Sequence, residues 1–137
     1  MREILFRGKH ADDGHWMYGA YCPVDYQCDF PCIMPEYGSA DDDLPDFEID
    51  WRTVGEYSGY KDSNGARIFE GDVIKFRVGS LKTERRAVIE YKDGAFQARC
   101  GRTEVMLLCN VRNYSRGATE IIGNVHDDPE LMAEVLG

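Results

Sequence analysis

The chain has 137 residues, of which 43% are hydrophobic and 30% charged, with a net charge of −9. That is enough for one domain with a buried core, and apolar enough to exclude wholesale disorder. The charge is uneven, with 5 Lys/Arg against 14 Asp/Glu up to Gly65 and 11 of each from Ala66 onward, which argues against a general nucleic-acid-binding surface, since phosphate contact needs a basic patch.

No long uninterrupted apolar run is present, so no transmembrane helix is expected. The opening residues, Met1 to His10, are too polar for an export signal. A cytoplasmic location is the expectation, and with it reduced thiols for the five cysteines.

Glu3 to Arg7 alternates in polarity, Asp12-Asp13-Gly14 supplies a hairpin turn, and Trp16-Met17-Tyr18 resumes as a strand with both outer aromatics on one face. From Ala20 to Asp50 four prolines and the acidic run Asp41-Asp42-Asp43 break any long element, so a long acidic surface loop with at most short strands is expected. Phe47, Ile49 and Trp51 alternate again. They lead into a dense stretch from Thr53 to Phe76, rich in glycine and aromatics and punctuated by the Asn64-Gly65 turn.

Past that turn, short strands are expected over Ala66–Phe69, Val73–Val78, Ala87–Tyr91, Ala95–Cys100, Val105–Val111 and Thr119–Val125, separated by Gly- and Asp-rich reversals. Asp128-Pro129-Glu130 signals a short helix, with a capping side chain, proline at the first helical position and a carboxylate in the first turn. The expected fold class is mainly β: an SH3-like barrel or sandwich over residues 66–126, an N-terminal β-hairpin extension within residues 1–65, a long acidic loop, and a C-terminal helix over 128–136. The barrel comparison is one of fold alone and carries no function.

The chain resembles the YopX family of small proteins carried by bacteriophages and prophages. The resemblance rests on Met1-Arg2-Glu3-Ile4-Leu5-Phe6-Arg7-Gly8-Lys9 with Trp16-Met17-Tyr18-Gly19 at the start. In the middle it rests on Thr53-Val54-Gly55-Glu56-Tyr57-Ser58-Gly59-Tyr60 through Gly65, followed by Ile68-Phe69-Glu70-Gly71-Asp72-Val73. At the end it rests on Glu120-Ile121-Ile122-Gly123-Asn124-Val125-His126-Asp127-Asp128-Pro129. It implies a phage or prophage origin, a mostly-β fold and a host-cell cytoplasmic setting. It brings no enzymatic activity that attaches to particular residues.

Candidate chemistry is sparse. Cys22, Cys28 and Cys32 with His10 and His15 offer thiolates and imidazoles for zinc, but the x5 and x3 spacings lack the short paired thiols of zinc knuckles and ribbons. Loop thiols and no metal are the expectation. The acids from Asp41 to Asp50 lack the spacing and central glycine of a calcium loop, and the carboxylates of Glu70-Gly71-Asp72 read as a decorated turn. No catalytic residue and no cofactor is expected. Lys82, Arg85, Arg86 and Arg99 form the one basic concentration, with Tyr114 available for stacking. Tyr37, Tyr57 and Tyr60 are candidate interface aromatics. The leading expectation is a non-enzymatic accessory protein acting through an unknown protein partner or through itself as a homo-oligomer. The alternative is a nucleic-acid-binding small barrel using Lys82–Arg86, and the third reading is an enzyme with a cleft at Glu70 or Asp72.

Overall fold

A computed structural model describes residues 3–24, 29–35, 47–78, 83–115 and 118–137, with the side chains of Pro35, Val78 and residues 112–115 outside the description. The described chain is mainly β, built from two antiparallel five-stranded sheets and two short helices. It divides into two compact units, Met1–Tyr57 and Ser58–Gly137. The boundary falls ahead of Gly65, where the composition changes.

In the first unit, β1 (Phe6–His10) and β2 (Trp16–Cys22) form the expected hairpin. β3 (Cys32–Pro35) pairs with the outer side of β2, and β4 (Ile49–Lys61) pairs with β1, in the sheet order β3-β2-β1-β4-β5, where β5 is Arg67–Phe69. β3 also meets the entry to β4 on its free side: the Ile33 N–H donates to the Phe47 carbonyl at 3.2 Å and the Ile49 N–H to the Pro31 carbonyl at 3.0 Å. The sheet therefore curls round an apolar interior. Gly8 sits inside that curl because a side chain there would press on Ile49 at 3.0 Å and Ile33 at 3.5 Å. Ile33 and Ile49 are themselves buried.

β4 is longer than the sequence pattern implies. It passes through the glycine-aromatic stretch at Thr53 to Tyr60 as one strand, with a register shift opposite Arg7 and Lys9. A bulge of this kind absorbs extra residues while the ladder continues on both sides.

In the second unit, the end of β4 turns through Asp62–Ala66 into β5 (Arg67–Phe69). Then β6 (Asp72–Val78), β7 (Thr83–Lys92), β8 (Ala95–Cys100) and β9 (Glu104–Leu107) run as a meander, and β10 (Glu120–Asn124) returns to pair with β6, giving the order β10-β6-β7-β8-β9. The β7–β8 reversal is a two-residue turn with positive φ at Asp93 (54°) and Gly94 (81°), a geometry that matches the twist of a tight hairpin.

Pairs in register share a face, so Ile74 opposite Ala87 and Ile89 opposite Ala98 point the same way. With Ile68, Phe76, Leu108 and Val111 they make one contiguous core. Each fully buried Ile, Leu or Phe in it contributes about 1.5–3 kcal/mol of transfer free energy.

The apolar run Val105–Val111, expected as a strand, splits. Glu104–Leu107 is β9, and Leu108–Ser115 is helix α1. Leu108 and Val111 are both buried at a spacing of three, which a helix places on one face and a strand does not. Helix α2 (Pro129–Leu136) starts where expected, but the Asp128 side chain does not cap it. Its carboxylate instead accepts the Asn124 N–H at 3.2 Å, holding the end of β10.

Candidate functional site

Among the described residues the basic cluster is divided between two faces. Lys82 lies outside the described residues, as does the side chain of Tyr114. Arg85 and Arg86 are neighbours on β7, so the pleat sends them to opposite faces. The register puts Arg99 opposite Val88, on the Arg86 face.

Each of the three also has a carboxylate partner. Arg85 pairs with Glu104, and Arg99 donates to Glu90 at 2.9 Å. Arg86 lies 3.8 Å from Glu84 and 3.9 Å from Glu134. The hydrogen bond to Glu104 raises the Arg85 pKa, and the same bond holds the Glu104 carboxyl below the usual range. A phosphate approaching these guanidiniums meets positive charge already neutralised at contact distance.

Of the interface tyrosines, Tyr57 is corrected. Tyr57 is buried at 4% exposure, and its N–H donates to the Leu5 carbonyl at 2.8 Å. Tyr60 is half-buried against the core of the second unit. Tyr37 lies outside the described residues, as do Cys28 and the acidic residues Asp41, Asp42, Asp43 and Asp46.

Glu70 and Asp72 frame a turn. Asp72 is buried, and its carboxylate accepts the Phe69 N–H at 2.7 Å. Gly71, at φ 93°, donates to the Ile89 carbonyl and accepts from the Val125 N–H, both at 2.8 Å. A cavity of about 250 Å³ in the second unit is lined by residues including Asn64, Lys75, Phe76, Arg77, Glu84 and Glu120, and neither Glu70 nor Asp72 reaches it. Lys75 and Glu120 close on each other across it at 3.3 Å.

The outer face of the first sheet is different in kind. Register places Arg7 beside Tyr18, Lys9 beside Trp16, and Ala20 beside Met34, all on the side away from Ile33 and Ile49. The Arg7 guanidinium lies 4.5 Å and the Lys9 ammonium 5.4 Å from the centre of the Trp16 ring, one aromatic face serving two cations. Tyr18 (47%) and Met34 (42%) stay exposed, and Trp51, in the β4 bulge, is 67% exposed. Scattered exposed apolar residues are ordinary. Arg7 itself is buried, and Tyr18 and Met34 beside Trp16 are the residue types that concentrate in protein interfaces. The alternation of Trp16 and Tyr18 is visible in the sequence, but their neighbours across the sheet require the register.

The fold defines a small mainly-β protein. The YopX protein family matches residues 5–133, and the chain belongs to that family. The crystal structure of protein EF1440 from Enterococcus faecalis is similar in fold, with a TM-score of 0.61 and 21% identity over 96% of this chain and 99% of that one. No curated protein matches the chain.

Proposed function

We propose that this YopX-family protein is a phage- or prophage-type accessory protein that works by protein–protein contact, with a second copy of itself or with a host or phage protein. The observation that carries the reading is the outer face of the first sheet, where exposed Tyr18 and Met34 lie beside Arg7 and Trp16. Truncating such anchors commonly removes more than 1 kcal/mol of binding while leaving the fold intact. No described helix is long and apolar enough to cross a membrane, which fits a partner met in the host cytoplasm.

Sedimentation velocity over a concentration series reads self-association, and a photo-crosslinking amino acid in place of Tyr18, expressed in a bacterial host, reads a second protein. We expect either a dimer that Tyr18→Ser and Met34→Ser weaken, or a discrete crosslinked adduct that the Met34→Ser background loses. A strict monomer with no adduct defeats the reading. Phage genes flanking this one would support the proposed origin. Nucleic-acid binding at Lys82, Arg85, Arg86, Arg99 and Tyr114 is the weaker alternative, because Arg85, Arg86 and Arg99 are each engaged by a carboxylate.

A further inference from the structure

The tip of the first hairpin collects three metal-ligating side chains from six consecutive residues. His10 ends β1, Asp13 sits in the turn, and His15 immediately precedes β2. The turn is fixed by backbone bonds: the His10 N–H donates to the His15 carbonyl at 2.9 Å, and the Gly14 N–H to the His10 carbonyl at 3.0 Å. His10 and His15 therefore close the hairpin as a pair, and their rings stack with centroids 4.9 Å apart.

Asp13 completes the set. Its Oδ1 contacts His15 Nδ1, lies 3.6 Å from His10 Nδ1, and accepts the His15 N–H at 3.0 Å. One ligand atom from each of the three lies within 4.8 Å of the others. Ligands about 2.0–2.1 Å from a tetrahedral zinc stand about 3.3 Å apart, so the Asp13–His15 contact must open and the His10–Asp13 separation must close slightly. His15 and Asp13 are more than half exposed, while His10, with a side chain 10% exposed, is the fixed post. The His10 Nδ1 accepts a long 3.2 Å bond from the Asp12 N–H, a bond that an ion at that nitrogen replaces.

We propose that the first hairpin is a binding site for a late first-row divalent metal ion, Zn²⁺ or Ni²⁺, held by His10, Asp13 and His15 with water completing the coordination. Two imidazoles and one carboxylate are the donor types these ions select, and three protein donors leave positions open to water or to a donor from another molecule. Of the thiols weighed from the sequence, Cys28 lies outside the described residues, and Cys22 and Cys32 pair with each other across β2 and β3 and are not in this set. The site does not depend on the contact reading above, because it rests on different residues. The competing arrangement is the His15–Asp13 hydrogen bond with no ion bound.

The test is calorimetric titration of the full chain with Zn²⁺ in a non-chelating reductant, alongside absorption spectroscopy with Co²⁺, for the native protein, His15→Ala and Asp13→Asn. Both substitutions lie at an exposed turn, and unchanged circular dichroism confirms the fold. The expected result is one ion per chain, an affinity at least about tenfold weaker in each variant, and a cobalt spectrum without thiolate-to-metal charge transfer. Any of three results overturns the proposal: no saturable binding, affinity retained in either variant, or a thiolate charge-transfer band.

Discussion

The two units hold their charge in opposite ways. Met1–Tyr57 carries 4 Lys/Arg against 13 Asp/Glu, and Ser58–Gly137 carries 12 of each. In the second unit the guanidiniums of Arg85, Arg86 and Arg99 meet carboxylates from other strands or from helix α2, and the large apolar side chains gather in one core. In the first unit Arg7 and Lys9 lie over an aromatic ring, Arg52 pairs with Asp50 on its own strand, and Trp51, Tyr18 and Met34 face solvent. The second unit balances its charge within itself, while the first keeps an acidic excess and holds two cations over one aromatic ring.

The widest separation between the units comes from paired truncations. Phe76→Ala removes a side chain only 1% exposed from the second core and is expected to cost about 3–5 kcal/mol in urea unfolding. Trp51→Ala deletes a larger ring and is expected to change stability by less than about 0.5 kcal/mol. A large loss for Trp51→Ala would break the contrast.

Asp62→Ala comes next. The buried Asp62 carboxylate accepts the Asn64 and Ala66 N–H groups at 2.9 Å each and the Ile121 N–H at 3.1 Å. Its removal strands three donors and should cost about 2–4 kcal/mol by the same unfolding measurement. Gly71→Ala forces a side chain into positive φ and toward His126, 3.4 Å away. We expect a loss of about 1–2 kcal/mol, seen as a lower urea midpoint with an unchanged slope.

The smallest effects are chemical. Because Arg85 holds the Glu104 pKa below its unfolded value, the unfolded chain binds the proton more readily as the solution is acidified. The contribution of this pair is full above the ordinary carboxylate range and is lost as pH falls through the folded value. Glu104→Gln should therefore flatten the acid limb of the stability curve and leave the alkaline limb unchanged. Burial pushes the Cys100 thiol up, whereas Cys109 is exposed. Peptide mapping after brief alkylation at neutral pH should find Cys109 modified well before Cys100.

Much of the architecture could be read from local signals. Asp12-Asp13-Gly14 and Lys92-Asp93-Gly94 announce their hairpins because turn chemistry is local. Helix α1 escaped, since the run from Val105 to Cys109 fits strand and helix equally until a partner surface selects one. The dense stretch Thr53–Phe76 begins inside the strand β4, where Gly55 flanks the bulge, and only its later part turns into β5 and β6. The candidate site was less legible. Arg85 and Arg86 look like a patch in one dimension, yet alternation separates them and Glu104 and Glu134 neutralise them from distant positions. Tyr57 looks like an interface residue until the sheet closes over it. Asp13 reads as turn punctuation, and only the hairpin shows that it stands between two imidazoles.

The Asp62 turn also sets an order on assembly during translation. Ser63 bonds the Thr119 carbonyl and Asp62 bonds the Ile121 N–H, contacts separated by 56 and 59 residues. A ribosome adding about 5–20 residues per second needs roughly 3–12 s to cross that interval. Throughout it β6 has its neighbour β7 in prospect but no β10, and the acid at position 62 holds only the donors of its own turn. The nascent second unit therefore passes through a stage of several seconds with one sheet edge open, when it is most exposed to mispairing and to capture by chaperones.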